Sequence, residues 1–334
     1  MKKRLLAIFL TFALCLTFCG CTQEPAETQP PTEVPTEAPT EAPTEPPATG
    51  GSTPLLYKVT DGDGDVVWLF GSIHVGTPDY YPLPDYVLDA FDGSDALAVE
   101  ADIVAAEENP YELAGVMAKM LYADGTTIAD HISPELYEKA VGILTLEGQY
   151  MALIDLYQPV IWWNLIENAL ITHSQLDAML GIDRYMIGLA KDSGKELLEV
   201  ESAQFQMEML GAFSEELQIF LLEQIVESYY AMDEYLADLD VMAQLWKSGD
   251  EAAFEAYLAD SDTEELTEEE MALYAEYTAA LITNRNLSMT EYAQARLEEG
   301  KEVFICVGAA HVVGEGAMAQ LLEQAGYTVE LVTE

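Results

Sequence analysis

Short uninterrupted apolar runs and longer segments with helical spacing alternate along the chain. Runs without a polar residue, such as residues 66–70 and 303–307, are typical of parallel strands buried on both faces. Residues 55–60 precede a turn rich in glycine and aspartate, which predicts a hairpin with the strand that follows. We expect strands at residues 55–60, 66–70, 96–100, 197–200, 303–307 and 328–332.

The segments between these strands predict helices, because their apolar residues recur every three or four positions. Residues 159–172 form one such helix, residues 203–259 an almost continuous one, and residues 263–282 a further one. We therefore expect an α/β (α+β) fold with a mixed, partly parallel central sheet of about six strands. Helices should cover both faces of this sheet, and the acidic helical block should form a long insertion.

Residues whose side chains could bind a metal or a ligand follow three of the predicted strands. Gly71 and His74 end one strand, Gly308 and His311 end another, and Glu100 ends a third. Ligands of open α/β sheets sit beyond the carboxyl ends of the strands, so these side chains should converge if the strands are neighbours. Two imidazoles and a carboxylate suit a transition metal that keeps open positions for water or substrate.

The same residues carry a family resemblance. Residues 70–76 (FGSIHVG) and 307–314 (VGAAHVVG) resemble the paired Gly-x-x-His motifs of the TraB/PrgY/GumN family, which includes the Tiki proteases, and Glu100 matches that family's glutamate. The resemblance covers about residues 55 to 333 and implies a fold like those of the Tiki, ChaN-like and erythromycin-esterase proteins. It also adds the site candidates Asp183, Glu201, Arg285 and Asn286.

The resemblance implies a divalent metal (manganese, cobalt or zinc) held by His74, His311 and Glu100, and a metalloprotease-type hydrolase that acts on extracytoplasmic peptides or proteins. A bound divalent metal would activate water, with Glu100 as a ligand or as the general base. Arg285 would hold Glu100 or stabilise an oxyanion, and Asp183 serves either the site or a helix cap. Two other interpretations stay open: a metal-free, esterase-like hydrolase, and a non-enzymatic lipoprotein that binds peptide or haem.

The N-terminal region predicts export and anchoring. Residues 1–20 combine a basic start with an apolar run too short to span a membrane, which is typical of a signal peptide. Cys21 follows a glycine and resembles a lipoprotein cysteine. Residues 21–53 repeat proline, threonine and glutamate and predict a disordered linker, which leaves residues 54–334 as one catalytic domain. We expect a lipid-anchored protein on the outer face of the bacterial cytoplasmic membrane.

The charge restricts the choice of partners. The chain has 60 acidic and 13 basic residues, for a net charge of −47. Binding of nucleic acid requires lysine and arginine to neutralise phosphates, so nucleic acid is an unfavourable partner. Anionic lipid headgroups would also repel the chain, so contact with the membrane should depend on the lipid at Cys21.

Overall fold

The computed structural model describes residues 51–260 and 266–333. The expected signal peptide, Cys21, and the linker up to residue 50 lie outside the described residues. None of the described helices is both long enough and apolar enough to cross a membrane.

In the described part of the chain six strands form one mixed sheet, which confirms the predicted fold class. The strands are β1 (Leu56–Thr60), β2 (Val66–Ser72), β3 (Ala96–Val99), β4 (Glu196–Glu199), β5 (Val303–Gly308) and β6 (Thr328–Val332). Their order in the sheet is β4-β3-β5-β2-β1-β6. The first four of that order are mutually parallel, whereas β1 runs antiparallel to both of its neighbours. The strands β3 and β5 are buried along their whole length, as their uninterrupted apolar runs predict.

Fourteen α-helices occupy the described ranges. They are α1 (Asp85–Gly93), α2 (Ile103–Glu108), α3 (Pro110–Met117), α4 (Pro134–Leu146), α5 (Pro159–Thr172), α6 (Ile182–Ser193), α7 (Ala203–Gly211), α8 (Glu215–Tyr230), α9 (Met232–Ser248), α10 (Glu251–Ala259), α11 (Glu268–Thr278), α12 (Asn284–Glu298), α13 (Ala309–Val312) and α14 (Met318–Gln324). A π-helical turn, Ala279–Thr283, joins α11 to α12. The helix α5 begins and ends at the residues predicted for it, with a proline in its first turn.

Residues 203–259 are almost continuously helical, as expected, but local signals divide the stretch into four helices, α7, α8, α9 and α10. Ser214 caps α8 by accepting a hydrogen bond from a backbone N–H of its first turn. Gly249 ends α9 in the left-handed conformation, with φ of 61°, and Asp250 then caps α10.

The buried side chains form two hydrophobic cores. One core surrounds the sheet and includes apolar residues of α1, α6, α9, α12 and α14. The other core lies within the helical insertion and is centred on the packing of α5 against α8. Each of the two cores includes segments that contribute side chains to the candidate site described next.

Candidate functional site

The strand order brings the three predicted site residues to one edge of the sheet. His74 lies two residues after β2, Glu100 directly follows β3, and His311 lies in α13 directly after β5. These three strands are adjacent and parallel, with β5 in the middle, so their carboxyl ends meet. The side chains of Glu100 and His311 are 4 % and 0 % exposed, which places this polar cluster in the protein interior.

Glu100 holds hydrogen bonds on both carboxylate oxygens. Its Oε1 accepts the backbone N–H of Gly308 at 2.6 Å, and its Oε2 accepts from Arg285 Nη2 at 2.5 Å and from Gln206 Nε2 at 3.1 Å. The Nε2 atom of His311 lies 3.9 Å from Oε1. The carboxylate is therefore fixed in position, with His311 beyond its hydrogen-bonding range.

The orientation of His74 is set by Asp183, which lies in the first turn of α6. The Nδ1 atom of His74 is 2.7 Å from Asp183 Oδ2, and Ser72 Oγ donates to the other carboxylate oxygen at 2.6 Å. Because an ionised carboxylate only accepts hydrogen bonds, Nδ1 carries the proton. The N-cap of α6 is Gly181, so Asp183 serves the cluster instead of capping the helix.

His311 is held in an equivalent way by an amide. Its Nδ1 lies 2.7 Å from Asn286 Oδ1, and Asn286 Nδ2 donates to the carbonyl oxygen of Gly316 at 2.8 Å. The second bond fixes the amide orientation, so Oδ1 must accept the proton of Nδ1. The Nε2 atom of His311 then presents a lone pair.

Arg285 connects the carboxylates of two strand ends. Its Nε and Nη2 atoms donate to the two oxygens of Glu201 at 2.8 and 2.9 Å, while Nη2 also reaches Glu100. Nη1 donates to the carbonyl oxygen of Leu281, which belongs to the π-helical turn. Gln206 bridges Glu100 and Glu201 from α7. This network joins the sheet to the helical insertion.

The two motif glycines allow close packing at the site. A Cβ atom at Gly308 would lie 3.2 Å from Glu100 Oε1 and 3.5 Å from a ring carbon of His311. A Cβ atom at Gly71 would lie 3.0 Å from the backbone of Ala309. Any larger residue at these two positions would therefore displace the cluster or α13.

The surroundings drive the pKa values of the three central groups apart. Burial would lower the pKa of His74, but the charge of Asp183, the hydrogen bond to it and the charge of Glu100 outweigh burial and raise that pKa to about 9. Burial and then the charge of Arg285 lower the pKa of His311 to about 3. Burial would raise the pKa of Glu100, but Arg285 and then the two histidines lower it to about 2. At neutral pH, His74 is charged, His311 is neutral and Glu100 is ionised.

The two histidines offer donors to a ligand. Both Nε2 atoms are buried without a hydrogen-bond partner, a costly state that a bound group would relieve. Histidines that bind metals commonly donate their other ring nitrogen to a carboxylate or another oxygen acceptor, as His74 and His311 do. No group of three or more His, Cys, Asp or Glu side chains in the described ranges is arranged to hold a metal ion. The described residues therefore present one imidazole lone pair, on His311 Nε2, and a second on His74 only after its Nε2 loses a proton, and they form no complete set of metal ligands.

The sequence did not predict a site role for two residues of the cluster, Ser72 and Gln206. Ser72 stands inside the first Gly-x-x-His motif, and that position is the signal that could have identified it. Gln206 lies in a helical block whose spacing indicates only packing, so no local pattern marks it. The remaining histidines lie elsewhere: His131 contacts Glu215 and stacks on Tyr122, and His173 contacts Glu147.

Comparison with known proteins identifies the family of the chain. The family model described as the TraB/PrgY/gumN family matches residues 55–331, which is most of the chain. The chain belongs to this family. It is 27 % identical over 257 residues to the uncharacterized protein YbaP of Escherichia coli K12, covering 76 % of the chain and 86 % of YbaP. An uncharacterized protein of Treponema pallidum is 21 % identical over 261 residues, covering 77 % of each chain. No solved structure gives a significant match.

Proposed function

We propose that this chain is a metal-dependent hydrolase that cleaves peptides or proteins outside the cytoplasm. The metal would be a divalent ion such as Mn²⁺, Co²⁺ or Zn²⁺, bound by His74 and His311, with Glu100 as the neighbouring carboxylate. The observation that carries the proposal is the pair of buried Nε2 atoms without partners, each on a ring whose Nδ1 is held by an oxygen acceptor.

The protonation states of His311 and Glu100 favour a role as metal ligands over a role in acid–base catalysis. An efficient general acid or base has a pKa near the working pH, whereas the pKa values of His311 and Glu100 are about 3 and about 2. A neutral imidazole and an ionised carboxylate are the forms that bind a cation. His74 would have to release its proton from Nε2, while its Nδ1–H stays on Asp183.

The chain's own residues would order the site around the bound ion. A divalent ion there would supply Lewis-acid activation of a carbonyl and of water. Arg285 and the N–H of Gly308 hold the Glu100 carboxylate at its place beside His311. Burial of this cluster strengthens each of these electrostatic contacts.

A metal-free hydrolase is the second candidate. The hydrogen bonds and the ion pair that Glu100 already makes favour it. Both oxygens of this carboxylate already accept hydrogen bonds, and the ion pair with Arg285 competes with a metal for it. In that case the charged His74 would act as the electrophilic group toward a substrate carbonyl. A chelator separates the two candidates, because only the metal-dependent activity is lost on treatment.

The test is a thermal melt of the metal-stripped protein, titrated with Mn²⁺, Co²⁺ and Zn²⁺. An ion at about 100 times its Kd should stabilise the fold by roughly 2.7 kcal/mol, which shifts Tm by about 5 °C in a domain of this size. We expect His74→Ala and His311→Ala to lose this shift. His173→Ala is the matched control, because His173 lies outside the cluster, and it should keep the shift.

Catalysis is tested by incubating a peptide library with the protein and identifying cleaved bonds by mass spectrometry. Cleavage that requires the ion and His311 would support the proposal. A melt that no ion changes, or a shift that His311→Ala retains, would contradict it. Cleavage that survives chelation would instead support the metal-free candidate.

We also propose that the enzyme works at the cell surface, anchored by lipid on Cys21 and extended from the membrane by the Pro/Thr/Glu-rich linker of residues 21–53. This proposal rests on the sequence features of residues 1–53. It implies that the substrate is a peptide or protein that reaches the outer face of the cytoplasmic membrane.

A further inference from the structure

A groove lies over the edge of the sheet that β6 forms. Within the described part of the chain, β6 pairs with β1 and has no strand on its other side. The groove is bounded by α10, by α14 and by the turn that follows α13, and its volume is about 770 Å³. This volume falls in the usual range of ligand clefts, roughly 300–1,000 Å³.

The floor of the groove is apolar and made of small or branched side chains. Ala252, Ala256 and Ala259 follow one another along α10 at helical spacing, so they share one face. Val329 and Leu331 alternate along β6 and lie on one face of the strand. Leu331 is 36 % exposed, so the groove leaves apolar surface in contact with water.

The rim of the groove is acidic. It includes Glu251, Glu255, Glu315 and Glu323, and none of the described residues that line the groove is lysine, arginine or histidine. Glu251 accepts a hydrogen bond from the hydroxyl of Tyr57. The salt bridges found in the described ranges involve none of the four glutamates. Repulsion among these carboxylates makes a cationic occupant favourable.

We propose that this groove is a docking site for an extended, basic segment of another protein. Alternate side chains of an extended segment point to opposite sides. Small apolar side chains of the segment would contact the alanine floor, while lysine or arginine side chains between them would reach the glutamates. Electrostatic complementarity of this kind gives specificity and fast association.

The charges of this chain argue that the occupant comes from another molecule. The linker of residues 21–53 contains glutamate but no lysine or arginine, so it would be repelled. A second copy offers few available cations, because eight of the ten basic residues outside residues 2–4 already form ion pairs. The eight are Lys119, Lys139, Arg184, Lys191, Lys247, Arg285, Arg296 and Lys301.

The groove and the histidine site share one stretch of the chain, but the groove contains none of the site residues. Val313 and Glu315 line the groove and follow His311 within four residues. Binding itself should not require a metal or His311, so this proposal can stand or fail separately from the proposed hydrolase.

The test is the fluorescence anisotropy of a labelled peptide, Lys-Val-Lys-Val-Lys-Val, titrated with the full chain at 150 mM salt. The double variant Glu255→Gln/Glu323→Gln should weaken binding about five- to tenfold, from the loss of two partly exposed ion pairs. The matched control Glu268→Gln/Glu269→Gln removes the same charge from exposed positions in α11 and should leave affinity within about twofold.

Two further measurements separate docking from general attraction to an acidic surface. Ala256→Trp should fill the floor and abolish binding, whereas Ala272→Trp, an exposed alanine of α11, should not change it. A hexalysine peptide lacks apolar side chains and should bind more weakly than the alternating peptide despite its higher charge. Equal losses in groove and control variants, or tighter binding of hexalysine, would overturn the proposal, whereas retained binding by His311→Ala would support it.

Discussion

A buried carboxyl group in the helical insertion should make the stability of the protein depend on pH. Glu167 lies on α5, is 2 % exposed, and its Oε1 has no hydrogen-bond partner among the described residues. Burial raises the pKa of Glu167 to about 8 from an ordinary value of 4.5. The native protein therefore keeps this group protonated at neutral pH, whereas the unfolded chain ionises it.

The sign and size of the effect follow from linkage. Between pH 4.5 and 8 the native state binds one more proton at Glu167 than the unfolded state, so the free energy of unfolding falls as pH rises. The slope is about 1.4 kcal/mol per pH unit, and the whole loss is of order 5 kcal/mol. Such a loss is a large part of the roughly 5–15 kcal/mol that stabilises a typical domain.

The assay is urea unfolding followed by circular dichroism at pH 5, 6, 7, 8 and 9 for the wild type and for Glu167→Gln. The amide does not titrate, so the wild type should lose stability relative to the variant up to pH 8. A constant offset between the two proteins is uninformative, because a buried amide carries its own pH-independent cost. Glu216→Gln, on the exposed side of α8, is the control. Its free energy of unfolding should change with pH in parallel with that of the wild type. Parallel curves for Glu167→Gln as well would refute the argument.

Three further predictions concern the site and the anchor. A Cβ at Gly181 would lie 2.4 Å from the carbonyl oxygen of His74, so Gly181→Ala should reduce metal-induced stabilisation in the thermal melt, whereas Gly188→Ala on the open side of the same helix should not. Arg285→Met should lower the free energy of unfolding by about 3–5 kcal/mol in urea, because it leaves two buried carboxylates without their cation; a loss below about 1 kcal/mol would contradict this. Radioactive palmitate should label the wild type but not Cys21→Ser, and an unlabelled wild type would exclude the lipid anchor.

The sheet and the convergence of its strand ends were predictable from sequence for one physical reason. Strands buried on both faces must be apolar throughout, so a polar residue at the end of such a run marks the edge of the sheet. Parallel neighbours end at the same edge, which is how His74, Glu100 and His311 meet. The spacing along the chain marks the strand ends, whereas the adjacency of the three strands comes from the sheet order.

The partners of these residues were less predictable, because they depend on how the helices pack. Arg285 was a candidate to hold Glu100, but its two bonds to Glu201 require α12 to lie across the ends of two strands. Gln206 reaches the same carboxylates from a helix whose sequence indicates packing alone. Contacts between distant elements are not encoded in local periodicity, and a glutamine has no charge that would mark it as unusual.

The balance of formal charge in the buried cluster bears on which ion it would accept. The carboxylates of Glu100, Glu201 and Asp183 face the cations of Arg285 and protonated His74, which leaves one negative charge uncompensated. A monovalent ion that displaced the proton of His74 would leave the same excess. A divalent ion in that place would bring the cluster to neutrality, and buried charge is tolerated when it is compensated. For the metal proposed at His74 and His311, the charge count therefore favours a divalent ion over a monovalent one.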